Sequence, residues 1–282
     1  MNTPPSHEVP PPVHKVGSDI PFFVGLLLLC GVYIFLILAM VLANSAYTSV
    51  EIFTRTLASP EIQYAIKLSL ITCTITTVLS LWVATALGYC MSRFEFRGKS
   101  LLDSVLDIPI VLPPLVIGLS LLILFRSAPG AWFEEQFTHL TGYRITYAVP
   151  GVILAQFMVA CAFAVRTMRA TFDEIPARRE QVALTLGCSR SQAFWTVALP
   201  EARRGLLVAA TLAWARSLGE FGPILIFAGA TRMKTEVMPT SVFLQMSIGD
   251  IESAVAISML MILAAMSVLL VVRFWGSESY VR

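Results

Sequence analysis

RREQVALTLGCSRSQAFWTVALP, residues Arg178 to Pro200, is a polar, arginine-bearing stretch with helical periodicity set between two long apolar runs. Val182, Ala183 and Leu186 recur at helical spacings and give one short helix an apolar face. Gly187 suits the left-handed residue that closes such a helix, and Ser189 suits the N-cap of the next. The second helix carries Ala193, Phe194 and Val197 and is expected to stop at Leu199-Pro200. Upstream, Pro176 fits a first turn, where its missing N–H costs nothing, with Asp173 or Glu174 near the positive end of the dipole. Two helices joined by a tight corner make a knob. It is either an amphipathic hairpin on lipid headgroups, its arginines facing anionic lipid, or a docking element for a partner.

The flanking runs are membrane spans. The 282 residues are 56% hydrophobic and 13% charged, with mean hydropathy +0.76, whereas a soluble domain carries roughly a quarter charged residues. Asp, Glu, Lys and Arg are missing between Asp19 and Glu51, Lys67 and Arg93, Asp107 and Arg126, Arg144 and Arg166, and Glu252 and Arg273. Each gap holds about 18 or more residues, enough to cross a hydrocarbon core about 30 Å thick. Gly205 to Thr231 is apolar except for Arg216 and Glu220. The expected fold is therefore an all-α integral membrane protein with six transmembrane helices, since only helices or closed barrels satisfy their backbones in lipid.

Basic residues set the orientation. With six spans, Lys15, Arg93, Arg97, Lys99, Arg166, Arg169, Arg178, Arg179, Arg190, Arg203, Arg204, Arg273 and Arg282 share one side. The other side holds Arg55, Lys67, Arg126, Arg144, Arg232 and Lys234. The positive-inside rule places both termini and the loop around 170–205 in the cytoplasm. The first apolar run is longer than a signal-peptide core and its leading segment is barely basic, so it is read as a retained helix. The expected organisation is a disordered Pro-rich cytoplasmic tail over 1–19, a first transmembrane helix over 20–44, and a five-helix core over 62–275 containing the loop 171–205.

Other chemistry finds little support. A net charge of +2 gives no argument for nucleic acid. The cysteines Cys30, Cys73, Cys90, Cys161 and Cys188 are widely spaced and read as small packing residues, neither a disulfide framework nor a metal site. His7, His14 and His139 lack metal-ligand spacing. Gly98-Lys99-Ser100 looks like the end of a phosphate-binding loop, but Arg93 stands where that loop needs its first glycine. No catalytic constellation is visible, so the chain is not read as an enzyme, and any ATP hydrolysis must come from another polypeptide.

The loop resembles the signature of ABC importer permeases: Glu-Ala-Ala, three residues, Gly, nine residues, Ile, one residue, Leu-Pro. Ala183, Gly187, Val197, Leu199 and Pro200 fall at the corresponding positions. Gln181 and Val182 occupy the first two, with Glu180 one place early, which leaves open what acidic contact is made to a partner. RFEFRGKSLL (Arg93 to Leu102), IPIVLPPLVIGLSLLILF (Ile108 to Phe125), SLGEFGPILIFAG (Ser217 to Gly229) and the stretch from Thr235 to Arg273 look like segments of molybdate, tungstate and sulfate permeases. The likeness runs from about Tyr64 to Arg273.

That resemblance implies a permease subunit in a bacterial or archaeal cytoplasmic (inner) membrane. Its partners would be an ABC ATPase dimer that binds ATP and Mg, an extracytoplasmic substrate-binding protein and a second permease copy, in a homodimer or heterodimer. It implies a tetrahedral oxyanion as cargo, molybdate or tungstate first, then sulfate. Phosphate, polyamine or thiamine import and an ion-driven secondary transporter are the alternatives. The ATPase-coupling residues would be Glu180, Gln181, Ala183, Gly187, Val197, Leu199 and Pro200.

Pro113, Pro114, Gly118 and Ser120 in the third span, with Arg216, Glu220 and Gly222 in the fifth, are candidates for the pathway or a gate. Charges inside a span are costly. Arg216 and Glu220 share a helix face, as an ion pair or as part of the path. Simple bending and packing is the other reading of the prolines. Ser69, Thr72, Thr76 and Ser80 line one face of the second span and are read as interhelical hydrogen-bonding groups. The external loop between 126 and 147, with Trp132, Phe133 and Phe137, is an interfacial anchor, a landing site for the binding protein, or both.

Overall fold

The computed structural model describes residues 19–277, so the Pro-rich tail expected to be disordered lies outside the described residues. Every regular element among them is a helix. The chain forms two compact units, Met1–Ala46 and Tyr47–Arg282. The first is built on helix α1, Ile20–Tyr47, which carries no charged residue. At 1.5 Å per residue its 28 residues are ample for a span.

The second unit begins with α2 (Val50–Ala58) and α3 (Pro60–Arg93), and its core is α3 against α7 (Val149–Glu174). These two run side by side in the same direction. Thr76 lies opposite Gln156, and Gly88 lies so close to Arg169 that an added Cβ would sit 2.8 Å from the Arg169 amide nitrogen. Helix α11 (Arg203–Leu218) packs antiparallel to α7: Gly205 abuts Thr171, and the Ser217 carbonyl accepts from Gln156 Nε2 at 3.2 Å. Gln156 thus ties three helices, since its Oε1 also accepts from the Thr76 hydroxyl at 3.2 Å. The polar face of α3 is buried but only half used as read from the sequence: Ser69 and Thr76 bond between helices, while the Thr72 hydroxyl donates to the Ser69 carbonyl of its own helix at 3.3 Å. Ser69 Oγ accepts from the Met238 amide at 2.8 Å, whereas Ser80 Oγ has no partner among the described residues.

The third expected span is not one helix. It is two 13-residue helices, α4 (Lys99–Val111) and α5 (Pro114–Arg126), bent by 112°. Pro113 and Pro114 remove two successive N–H donors, and Leu112, before a proline, is held extended at φ −66°, ψ 140°. Helix α4 is stitched to the end of α7 by Arg166 to Asp107 and Arg169 to Asp103.

The fifth expected span is also interrupted. After α11 the chain breaks at Gly219 to Phe221 and resumes as α12 (Gly222–Phe227). Pro223 cannot donate to the Gly219 carbonyl four residues back, which is where the ladder fails. A hairpin of α13 (Met238–Ser247) and α14 (Ile251–Ser277) closes the unit, turning at Gly249 with φ +86°. Four helices among the described residues are long and apolar enough to cross a membrane, and the α4–α5 pair makes five if it counts as one span. The difference from the expected six lies at the proline and glycine breaks.

Candidate coupling site and pathway residues

After α7 the chain passes Ile175 in extended conformation and enters α8 (Arg178–Thr185). Asp173 and Glu174 therefore belong to the last turn of α7, and the acid in the first turn of α8 is Glu180. Gly187 closes α8 at φ +93°: its amide donates to the Leu184 carbonyl at 3.0 Å and the Cys188 amide to that of Ala183 at 3.1 Å. This is the paired closure that a left-handed glycine permits. Ser189 then caps α9 (Arg190–Ala193) in a reciprocal box with Gln192, at 3.2 and 2.8 Å.

The expected stop at Leu199-Pro200 does not occur. A π-helical turn over Phe194–Ala198 leads into a short helix, α10 (Leu199–Glu201), and the chain continues into α11. Pro200 sits in the first turn of α10, where its missing donor is tolerated.

The knob has an outer and an inner face. Gln181, Val182, Leu186 and Gly187 are exposed, Leu186 at 80% and Trp195 at 62%. Ala183 is buried, Val197 and Leu199 are half-buried, and Pro200 is exposed. Glu180 is turned inward and is only 7% exposed. Its Oε2 accepts from the Tyr89 hydroxyl and its Oε1 from Arg93 Nε, both at 2.7 Å. Tyr89 and Arg93 lie in the last turns of α3, and nothing in their local sequence marks them as partners of residue 180. A groove of about 1060 Å³ beside the knob is lined by Arg166, Thr171, Glu174, Arg179 and Arg203 among others.

The pathway candidates fall into two sets. Gly118 and Gly222 are buried where α5 meets α12: a Cβ on Gly118 would lie 2.8 Å from Pro223 Cα, and one on Gly222 would lie 3.0 Å from the Leu115 amide nitrogen. Pro113, Pro114 and Ser120 are exposed on α5. Arg216 and Glu220 flank the break between α11 and α12. Arg216 Nη1 is 3.1 Å from Glu220 Oε2 without hydrogen-bond alignment, and the guanidinium lies 5.7 Å from the Phe163 ring centroid. Glu220 is 1% exposed while Arg216 is half-buried. Sequence reasoning missed a third buried acid beside Glu180 and Glu220: Glu236, whose Oε1 accepts from Ser241 Oγ at 2.8 Å.

The loop between 126 and 147 holds α6 (Ala128–Thr141), with Trp132 and Phe133 exposed and Phe137 half-buried. Phe133 and Phe137 line an apolar cleft of about 500 Å³ with Trp82, Ile153 and Phe157. Glu134 fastens α6 to the following segment, accepting from the Thr146 hydroxyl at 2.6 Å and the Thr146 amide at 3.0 Å.

Residues 77–277 match the family model of the binding-protein-dependent transport system inner membrane component. The chain belongs to this family. It is 30% identical over 253 residues to the sulfate transport system permease protein CysT of Salmonella typhimurium, covering 90% of each chain. It is 35% identical over 178 residues to the molybdate/tungstate transport system permease protein WtpB of Pyrococcus abyssi, covering 63% of this chain and 65% of that one. The same fold occurs in the crystal structure of a bacterial ABC transporter involved in the import of the acidic polysaccharide alginate. There the TM-score is 0.73 at 16% identity, covering 92% of this chain and 96% of that chain.

The permease is thus a multi-pass inner-membrane transport subunit and not an enzyme, with ATP hydrolysis assigned to a separate subunit. The matched region runs from within α3 to the end of α14, so the knob between α7 and α11 lies inside it.

Proposed function

We propose that this permease moves a tetrahedral dianion of the sulfate, molybdate and tungstate class into the cell. A partner ATPase dimer, binding ATP and Mg, would engage the 171–205 loop, and an extracytoplasmic binding protein would deliver the anion. The observation that carries the reading is the knob itself: an apolar tip, Leu186 and Trp195, exposed on a corner that two local motifs hold rigid. Gln181, Gly187 and Pro200 lie on its accessible surface, while Ala183, Val197 and Leu199 shape it from within or at its edge. With the broken third and fifth segments each counted as one crossing, the charge-free gaps support six crossings, and the basic-residue bias then supports both termini and the knob in the cytoplasm.

Two copies, or this permease and a sister, would enclose the path. Irregular backbone at membrane depth is tolerated where it lines a cavity or is buried in protein, which favours the Gly219–Phe221 break as a path element. Arg216, held by Glu220, would offer transient charge to the anion, and the close α5–α12 contact at Pro114, Gly118, Gly222 and Pro223 would set the gate, with Pro113 and Ser120 beside it. High affinity belongs to the binding protein, since the permease must release its cargo.

Similarity to sulfate and to molybdate/tungstate permeases supports the oxyanion class and puts sulfate level with the heavier anions. Uptake into liposomes carrying the permease, its ATPase and its binding protein tests the reading with molybdate, tungstate and sulfate in parallel. Accumulation of at least one of the three is expected. Uptake of phosphate, polyamine or thiamine alone would overturn the substrate class.

A further inference from the structure

We infer that Tyr89, Arg93 and Glu180 form a clamp that makes α8 move as one piece with the ends of α3 and α7. Glu180 and Arg93 are then positioning residues for transport, not contacts to the ATPase. The inference rests on the proposed coupling role of the loop and says how displacement of that loop reaches the spans.

Arg93 joins three elements through one guanidinium. From α3, its Nε donates to Glu180 Oε1 on α8 at 2.7 Å, its Nη1 to the Phe172 carbonyl at 2.8 Å, and its Nη2 to the Ile175 carbonyl at 2.9 Å. Nη1 also reaches Ser92 Oγ at 3.0 Å. The two carbonyls lie at the end of α7, where a helix leaves acceptors unsatisfied and carries partial negative charge. Only a planar fork of donors can serve a carboxylate and two carbonyls together, which an ammonium on a flexible stem does not do.

Both Glu180 oxygens are engaged, Oε2 by the Tyr89 hydroxyl at 2.7 Å. The pair is largely closed off, with side-chain exposures of 11% for Arg93 and 9% for Glu180. A partner protein therefore finds no free carboxylate here.

Aromatic rings continue the link outward. The Tyr89 ring meets Phe172 of α7 at 5.4 Å and Phe194 at 4.8 Å between centroids, and Phe194 meets the exposed Trp195 at 5.2 Å. On the flank, the Arg190 guanidinium lies 5.6 Å from the Phe94 centroid. Force applied at the knob tip is thus carried by a chain of edge-to-face rings and a buried ion pair, both anchored on α3. A second ion pair beside the knob, Arg179 to Glu201, is exposed at its arginine and joins α8 to α10, not to α3.

The test compares Arg93→Ala, Glu180→Ala and the double variant in the assembled complex of permease, ATPase and binding protein. Three quantities are read: ATPase co-purification, thermal stability, and the ratio of ATP hydrolysis with loaded to unloaded binding protein. Each single variant strands a buried charge and loses stability; the double variant removes both charges and recovers part of it, with the Phe172 and Ile175 carbonyls still lacking Arg93. The clamp predicts that all three retain the ATPase. It also predicts that all three lose stimulation, on the order of tenfold, a size typical of coupling between sites. Arg93→Lys, which keeps the charge without the fork, is expected to lose stimulation too.

Stimulation that returns in the double variant along with stability would overturn the clamp, because the pair would then only hold the fold. Intact stimulation in Arg93→Ala with loss in Glu180→Ala would also overturn it, in favour of direct contact between Glu180 and the ATPase. An unaltered permease that fails to retain the ATPase would overturn the coupling reading itself, and the clamp with it.

Discussion

Replacing Gly187 by valine tests the corner of the knob with little interference from packing. Gly187 sits at φ +93°, and a Cβ built there meets nothing within 4 Å among the described residues. The cost is therefore local and conformational. A left-handed backbone costs an L-residue about 1–2 kcal/mol, and a β-branched residue stands at the upper end. If the corner relaxes instead, it gives up the paired amide bonds to Leu184 and Ala183, each worth about 1 kcal/mol net. Either route disfavours the native corner by about 2 kcal/mol, roughly a thirtyfold shift in its equilibrium with relaxed corners. The spans are untouched, so the permease should still insert. Stimulation of hydrolysis by loaded binding protein, measured in liposomes, should fall, by up to about that factor. Gly187→Asn, which tolerates the left-handed region better, should lose less. Unchanged stimulation in the valine variant would refute the assignment of this corner to coupling.

Two further outcomes are expected. Gly118→Leu drives a side chain into Pro223, where even a Cβ would lie 2.8 Å from Cα; overpacking of this kind costs about 1–3 kcal/mol. Transport should fall while ATPase association persists, and normal uptake by this variant would remove the α5–α12 contact from the gate. At Glu134, partial burial pushes the carboxyl up, but the Thr146 hydroxyl and amide, with Arg144, outweigh it and hold the group below its ordinary 4.5. A lowered folded pKa contributes stability above the unfolded value and loses it as pH falls through the folded one. Protection of the Thr146 amide against exchange, taken relative to its intrinsic rate at each pH, should therefore fall only below about pH 4.5 and lose that dependence in Glu134→Gln; a flat protection profile in the unaltered protein would contradict the fastening.

Much of the knob was legible because its determinants are local. A glycine after an apolar helical face, then a serine three residues before a glutamine, dictates a closure and a cap within a dozen residues. The long spans were legible from charge-free gaps, since burial in lipid excludes charge along a whole helix. What failed was the effect of single residues on helix continuity. Pro113-Pro114 reads as a kink in one span, yet with Leu112 held extended it separates two helices. Pro200 reads as a stop, yet the π turn before it lets the chain pass.

The inward turn of Glu180 was not legible at all. Its direction is set by Tyr89 and Arg93, some ninety residues earlier, and Arg93 looked like one more basic residue of a short loop. The same holds for Gln156, on which the sequence offers no reading and whose role is set by Thr76 and the Ser217 carbonyl, both far along the chain.

The central claim is that the tip of the knob touches the ATPase. A photo-cross-linking residue placed at Leu186 or at Trp195, the exposed apolar positions of the tip, tests it in the intact complex. A covalent adduct with the ATPase is expected from both, and none from Trp132 on α6. Adducts with lipid alone from positions 186 and 195 would contradict the account and leave the loop as a hairpin lying on the membrane surface.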